Sequence, residues 1–167
     1  IAGTVYEEGV RAIHETSRGL ALFVDSYRKL AELQEPVLVE IPLAAFVERI
    51  RTLYPDLKWH ISIPLSATMF TDENMLRQVL INLVKNACEA GATAMDVRWN
   101  KELWVSNNGA PIPADVEREI FVPFFTTKKN GSGIGLSLSR QMMVRQGRDL
   151  CLAERPVPGF QVTFIVS

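Results

Sequence analysis

Apolar positions along the chain fall into helical and alternating periods, and the switches between them mark out the elements. Tyr6, Val10, Ile13, Ser17, Leu20, Val24, Tyr27 and Ala31 recur at alternating steps of three and four, with Phe23, Leu30 and Leu33 widening the stripe. This is the seam of a bundle or coiled coil, and it predicts one long helix. A lone helix has nowhere to bury such a seam, so it packs on the following domain or pairs with other chains. Gln34-Glu35-Pro36 ends it, because the residue before a proline avoids the helical region. Val37–Ile41 reads as a strand and Leu43–Tyr54 as a helix with Phe46, Val47 and Ile50 on its apolar side. Trp59–Ile63 alternates as a half-buried strand does, with Leu65–Phe70 as its expected partner.

The next helix carries Leu76, Val79, Leu80, Leu83 and Ala87 at helical spacing. Thr71 is the expected cap, with Asp72 and Glu73 favourable to the helix dipole. Met95–Trp99 and Leu103–Ser106 predict an antiparallel hairpin, followed by a loop over Asn107–Pro113 and a short helix through Val116 and Ile120. An aromatic loop, a glycine loop and a helix from about Ile134 to Gln146 come next. Leu150–Ala153 and Phe160–Val166 form a second hairpin around Pro156, Pro158 and Gly159. Strands grouped as hairpins with helices to one side imply an α+β fold. We expect a two-layer α/β sandwich, its mixed, mainly antiparallel sheet covered by helices on one face, plus the N-terminal long helix. No internal repeat or low-complexity segment interrupts it.

Length and charge narrow the picture. The 167 residues suit one compact domain with a small appendage, and a formal net charge of −1 gives no electrostatic case for nucleic acid or for an anionic membrane surface. No apolar run approaches the roughly 20 residues that span a bilayer, and no signal peptide is visible. Cys88 and Cys151 have neither CxxC spacing nor clustered histidines. They read as reduced core residues, as suits a cytoplasmic protein. The first residue is Ile and not Met, so a fragment is expected, with room upstream for a sensor or a membrane anchor.

Chemistry enters with the helix over Asn82–Glu89. Opposite its apolar stripe, Gln78, Asn82, Lys85, Asn86 and Glu89 recur at three- and four-residue steps. Two Asn one turn apart are poor helix formers. An oxygen-rich stripe suits a hydrated divalent cation and phosphate oxygens; a solvated polar face is the plain alternative. Three further segments change the balance. Val105-Ser106-Asn107-Asn108-Gly109-Ala110-Pro111-Ile112-Pro113 leaves a strand end and by itself reads as a turn whose Asn-Asn-Gly favours positive φ. In Ile120-Phe121-Val122-Pro123-Phe124-Phe125-Thr126-Thr127-Lys128 the aromatics should pin a loop to the core, leaving the hydroxyls and ammonium projecting. Gly131-Ser132-Gly133-Ile134-Gly135-Leu136 runs into a helix, where backbone N–H groups can approach phosphates. It is neither a P-loop nor, lacking a preceding strand, a dinucleotide fingerprint.

In this order and spacing the four segments resemble the ATP-binding core of sensor histidine kinases, in the superfamily that includes gyrase, the heat-shock chaperone ATPases and the mismatch-repair ATPases. The Asn helix is similar to the N box, Asn107–Pro113 to the G1 box, Phe121–Phe125 to the F box and Gly131–Leu136 to the G2 box. The likeness covers roughly residues 37–167. The leading helix, through Phe23-Val24-Asp25-Ser26-Tyr27-Arg28-Lys29-Leu30, resembles the second helix of the dimerisation hairpin of nitrogen-regulation-type kinases. The resemblance implies a hairpin half over 1–35 and an ATP-binding catalytic domain over 36–167, binding ATP with Mg2+. Asn86 would be the magnesium ligand, Asn82 its support, and Lys85 a neutraliser of phosphate oxygens. Thr127 and Lys128 would close over the phosphates, while Gly131, Gly133 and Gly135 would cradle them under a short lid. Asn107 and Gly109 belong to the base-binding loop, and Ile112 and Leu136 would line the adenine slot. A response-regulator protein and, in the intact protein, a homodimer are the implied partners, with no nucleic acid and no direct membrane contact.

Two departures stand out. The family usually has Asp, accepting a hydrogen bond from the adenine amino group, where this chain has Asn107; the Asn carbonyl can still accept, without the charge. Ala110-Pro111 also replaces the common Pro-Gly, which pre-sets the loop. The phospho-accepting histidine belongs on the first hairpin helix, ahead of a proline. His14 precedes Glu15 but has no such proline and lies on the second helix, and His60 reads as a surface strand residue. We therefore expect nucleotide binding without autophosphorylation. A serine kinase of the anti-sigma-factor type is the alternative, followed by a binding-only module. A gyrase-like clamp ranks last, because Asn82 stands where such clamps place a glutamate base.

Overall fold

The computed structural model describes residues 2–31, 34–123 and 135–167. A 30-residue helix α1 (Ala2–Ala31) leads into β1 (Leu38–Pro42), α2 (Leu43–Leu53), β2 (Lys58–Ser62), β3 (Thr68–Asp72), α3 (Glu73–Glu89), β4 (Ala94–Trp99), β5 (Leu103–Asn107), α4 (Gly135–Val144), β6 (Leu150–Leu152) and β7 (Val162–Val166). Five strands form the main sheet in the order β2-β4-β5-β7-β6, and β1 and β3 form a separate two-stranded ribbon. Only the β2–β4 pairing is parallel among the described strands; the rest are antiparallel. This is the expected α+β arrangement.

The core lies between the helices and one face of the sheet. Met95, Val97, Leu103, Val105, Val162, Phe164 and Val166 alternate inward along their strands. They meet the predicted stripe Leu76, Val79, Leu80, Leu83 and Ala87 of α3, and Phe46, Val47 and Ile50 of α2. Fully burying one such side chain is worth about 1.5–3 kcal/mol, so this interface dominates the fold's stability.

Four sequence expectations are corrected. Residues 68–72 pair with β1 and not with β2, with Thr68 opposite Pro42 and Asp72 opposite Leu38; the main sheet instead receives β4 beside β2. Asp72, not Thr71, caps α3, its Oδ1 accepting from Met75 N at 2.9 Å. Thr71 is fully buried and its hydroxyl donates to Gln146. Residues 114–123 are successive turns, Val116 N to Pro113 O, Glu119 N to Val116 O and Val122 N to Glu119 O, and not a helix. Cys88 is exposed and Cys151 half-buried, so neither is a core residue. On α3 the sheet-facing arc ends at Ala87, and the next position turns 100° toward solvent.

Both hairpin turns of the main sheet have a local cause. Lys101 takes φ 62° in the β4–β5 turn, closed by Asn100 N to Glu102 O at 3.0 Å. Pro158 and Gly159 (φ 90°) sit at the centre of the turn closed by Phe160 N to Val157 O, the positions that a type II turn assigns to them. Along α1, Val5, Tyr6, Val10 and Ile13 are exposed, so this stretch of the predicted seam is not covered by other described residues. No described helix is long and apolar enough to cross a membrane.

Candidate functional site

The described candidate residues lie on three elements. The first is the C-terminal half of α3, where Asn82 and Asn86 are half-buried while Lys85 is exposed. The second is the end of β5 with the loop after it. Asn107 is buried, 5% exposed, its backbone held by Met95 and Val162 across the sheet. The third is the N-terminus of α4, with Gly135 and Leu136 half-buried. Thr127, Lys128, Gly131 and Gly133, like Phe124 and Phe125, lie outside the described residues.

The α3–α4 contact is unusually close at one point. A Cβ at position 135 would lie 2.3 Å from Asn82 Oδ1, so any other residue there would require that amide to shift. Asn82 Nδ2 donates to Ser139 Oγ at 3.2 Å. Gly135 and Ser139 are four apart on one helix face, and their small size lets α4 approach the amide stripe of α3. Asn82 is thus a joint between two helices rather than a solvated polar group. Ser139 was not singled out from sequence; its spacing from Gly135 is the signal that could have found it.

The β5 loop docks on the end of α3. Ala110 N donates to Ala90 O at 2.9 Å, one turn beyond Asn86, and a Cβ on Gly109 would meet Ala90 Cβ and Asn107 Oδ1, each at 3.0 Å. Gly109 thus suits a close approach, where a side chain would make Ala90 or Asn107 give by a few tenths of an ångström. Among the described residues Lys101 is the single non-glycine with positive φ, so the Asn-Asn-Gly segment is not the positive-φ turn that its composition suggested. The two asparagines divide their tasks. Asn108 Oδ1 accepts from Thr93 N (2.8 Å) and Ala94 N (2.9 Å), and its Nδ2 donates to Thr93 Oγ1 (2.9 Å), stapling the loop to β4. Asn107 Oδ1 accepts from Gly109 N at 2.9 Å, leaving its amide N–H donors for other use.

Apolar walls complete the site. Ile112 and Leu136 are half-buried against the core. Ile120 is buried, and Phe121 packs edge-on to Phe164, ring centroids 6.5 Å apart, with the Arg140 guanidinium 5.3 Å over its ring. This anchors the start of the aromatic loop as expected. Arg140 is itself held by Asp149 at 2.9 Å.

Titration shifts fall outside this region. Burial, then the neighbouring Cys88, pushes the Tyr54 phenol up. Burial, then Asp149 and Glu102, pushes the Cys151 thiol up. The described candidate residues offer amides, hydroxyls, backbone groups and the Lys85 ammonium, which can bind and orient an anion or a hydrated cation.

Comparison with known proteins agrees with this architecture. Residues 71–167 match the family described as histidine kinase-, DNA gyrase B- and HSP90-like ATPase. The signal transduction histidine-protein kinase AtoS of Escherichia coli K12 is 34% identical over 101 residues, covering 56% of this chain and 16% of that protein. The nitrogen regulation protein NtrY of Azorhizobium caulinodans is 24% identical over 151 residues, covering 80% of this chain and 20% of that protein. The chain thus spans a fifth or less of these two relatives. Among solved structures, the catalytic domain of histidine kinase ThkA superposes with a TM-score of 0.65 at 28% identity, covering 78% of this chain and 93% of that one. ThkA in complex with the response regulator TrrA gives 0.67 at 24% identity, over 92% of this chain and 48% of that one.

Proposed function

Because the chain belongs to the histidine kinase-, DNA gyrase B- and HSP90-like ATPase family and is an ATP-binding domain of the histidine kinase type, we propose that it presents Mg2+-ATP for transfer of the γ-phosphoryl group to a histidine outside these residues. The observation that carries the site assignment is the approach of Gly135 to Asn82, which sets the start of α4 against the α3 amides. A phosphate chain at that junction would meet the N-terminus of α4, the end of the helix that carries partial positive charge. Lys85, exposed on α3, would neutralise phosphate oxygens, and Thr127 and Lys128 would close from the aromatic loop.

The donor set fits magnesium. No three His, Cys, Asp or Glu side chains gather among the described residues. A cation would be held by phosphate oxygens and water, with the carbonyl of Asn86 as the protein ligand and Asn82 fixing α4 beside it; sparse protein ligation is usual for magnesium on nucleotides. The ion would offset phosphate charge. The chain's own work is positioning, which is most of what phosphoryl transfer asks of a protein.

By analogy with ThkA and TrrA, a response regulator would receive the phosphoryl group in turn. Residues 1–35 would supply half of a dimerisation hairpin, its exposed Val5, Tyr6, Val10 and Ile13 pairing with a second chain in the intact, cytoplasmic kinase module. A 30-residue helix with that seam favours histidine over serine as the acceptor.

The test is to incubate the chain with Mg2+ and labelled ATP, alone and with a dimerisation hairpin carrying its own histidine. We expect saturable binding, no label on the chain alone, and acid-labile label on the added hairpin. Label on His14, or an acid-stable product, would overturn the assignment, and a dissociation constant far above millimolar would remove it altogether.

A further inference from the structure

Given the nucleotide site proposed above, we infer that the turn ending α4 is a clasp that ties nucleotide occupancy to segment 34–37, through which α1 joins the nucleotide domain, with Gln146 as its positioning residue.

Three residues close together in sequence make the clasp. Arg145 Nη1 donates to Gln34 O at 3.3 Å. Gln146 Oε1 accepts from the Thr71 hydroxyl and from Asp72 N at 3.0 Å. Arg148 donates to Phe70 O through Nη2 at 2.8 Å and through Nε at 3.2 Å. Asp72 carries the connection onward, its Oδ2 accepting from Val37 N at 2.8 Å while its Oδ1 caps α3. Gln146 is in turn held to α4, its Nε2 donating to Met142 O at 3.1 Å. A path of hydrogen bonds thus runs from α4 through Gln146 and Asp72 to Val37.

The two ends of this path differ in firmness. Thr71 is fully buried and Asp72 is 8% exposed, so losing Gln146 would leave their donors unsatisfied. Val37 is 70% exposed, and Gln34 and Glu35 are exposed beside it, so water can replace the bonds that hold segment 34–37. The segment is therefore either docked on Asp72 and Arg145 or released, and a local opening of this kind costs far less than global unfolding. The docked arrangement needs Asp72 held by Gln146, and so needs α4 in place.

The other end of α4 abuts the nucleotide site, where Gly135 and Ser139 meet Asn82. The 10 residues of the helix span about 15 Å from there to the clasp. A phosphate chain at the α4 N-terminus would hold the helix against α3, and Gln146 with it. Occupancy therefore favours the docked segment, and release of the segment lowers nucleotide affinity by the same factor, because coupling is reciprocal.

Hydrogen exchange of the 167-residue chain in Mg2+, with and without a saturating non-hydrolysable ATP analogue, reads docking at the Val37 amide. We expect the analogue to slow exchange there by about fivefold or more. The Asn100 amide, which closes the β4–β5 turn and shares no bond with the clasp, should not change. Gln146→Ala should erase the slowing at Val37 and weaken the analogue by a similar factor in calorimetric titration. Should that variant not fold, Arg145→Ala, at an exposed position, should reduce the slowing. Bound analogue that leaves Val37 exchange unchanged, slows Val37 and Asn100 alike, or still slows Val37 fully in these variants overturns the inference while leaving the nucleotide site. An analogue that gives no binding in calorimetry removes the nucleotide site and the inference with it.

Discussion

Gly135 and Asn82 stand in contact across the α3–α4 junction so closely that one added carbon at position 135 would lie 2.3 Å from Asn82 Oδ1. Glycine at the first residue of α4 therefore lets the Asn82 amide keep its place, separate from any demand for an unusual backbone angle. Gly135→Ala should force the Asn82 amide away from Ser139 and tilt the start of α4, costing about 1–3 kcal/mol as overpacking does and weakening ATP at least tenfold. Asn82→Ala clears the space. In a double-mutant cycle, the pair should lose less stability than the sum of the single changes, read from urea midpoints. Strict additivity would show that the contact does not matter.

Asn108 and Asn107 are adjacent and chemically identical, yet their bonds predict different defects. Asn108→Ala removes two acceptor contacts and one donor contact to Thr93 and Ala94. The group is exposed, so water replaces part of the loss, and a cost of about 1–2 kcal/mol follows. Its affinity for ATP should stay close to that of the wild type, because all three Asn108 side-chain bonds run to Thr93 and Ala94 on the β4 side. Denaturation and nucleotide titration of the same sample read both effects.

Local pattern carried most of the architecture. The α3 stripe and the two hairpins follow from side-chain period and turn residues alone, as do the ends of α1 and α2. What period cannot give is which strand neighbours which. Residues 68–72 alternate equally well as a partner for β1 or β2, and the pairing is with β1. The amide stripe was legible as an oddity in a helix. Its joint with Ser139 and Gly135 was not, because that contact links residues 57 apart. Nor does sequence separate Asn107 from Asn108, since the difference lies in which backbone N–H each side chain meets. The cysteines misled because an apolar neighbourhood in sequence is not burial: Cys88 lies one residue past the buried arc.

Gln146, beyond the end of α4, joins parts of the chain far apart in sequence. Its Oε1 accepts from the Thr71 hydroxyl and from Asp72 N at 3.0 Å, and its Nε2 donates to Met142 O at 3.1 Å. Asp72 in turn caps α3 and accepts from Val37 N at 2.8 Å. Gln146→Ala strands a fully buried hydroxyl and a backbone N–H, so a loss of about 2 kcal/mol or more is expected, since each unsatisfied buried group costs about 1–3 kcal/mol. Amide exchange at Asp72 should accelerate more than exchange in the centre of the main sheet. Equal acceleration throughout would mean that the residue supports global stability without acting as a local clasp.

The two thiols should separate by exposure and by pH. Cys88 is exposed on α3, whereas Cys151 is half-buried on β6 with its thiol pushed up by burial and by Asp149 and Glu102. The thiolate is the reactive form. Iodoacetamide near pH 8 should therefore label Cys88 first, with Cys151 lagging about tenfold or more until the pH rises or urea unfolds the chain. The same shift has a stability consequence. The folded state holds the Cys151 proton more tightly than the unfolded chain does, so its contribution is fully present below the unfolded thiol's pKa and is lost as pH rises through the folded value. Unfolding midpoints between pH 7 and pH 10 should fall with rising pH, and Cys151→Ala should flatten that fall. Peptide mapping after a timed pulse of reagent reads the order of labelling; a Cys151 that reacts as fast as Cys88 at pH 8 would place its sulfur in open solvent and remove the alkaline effect with it.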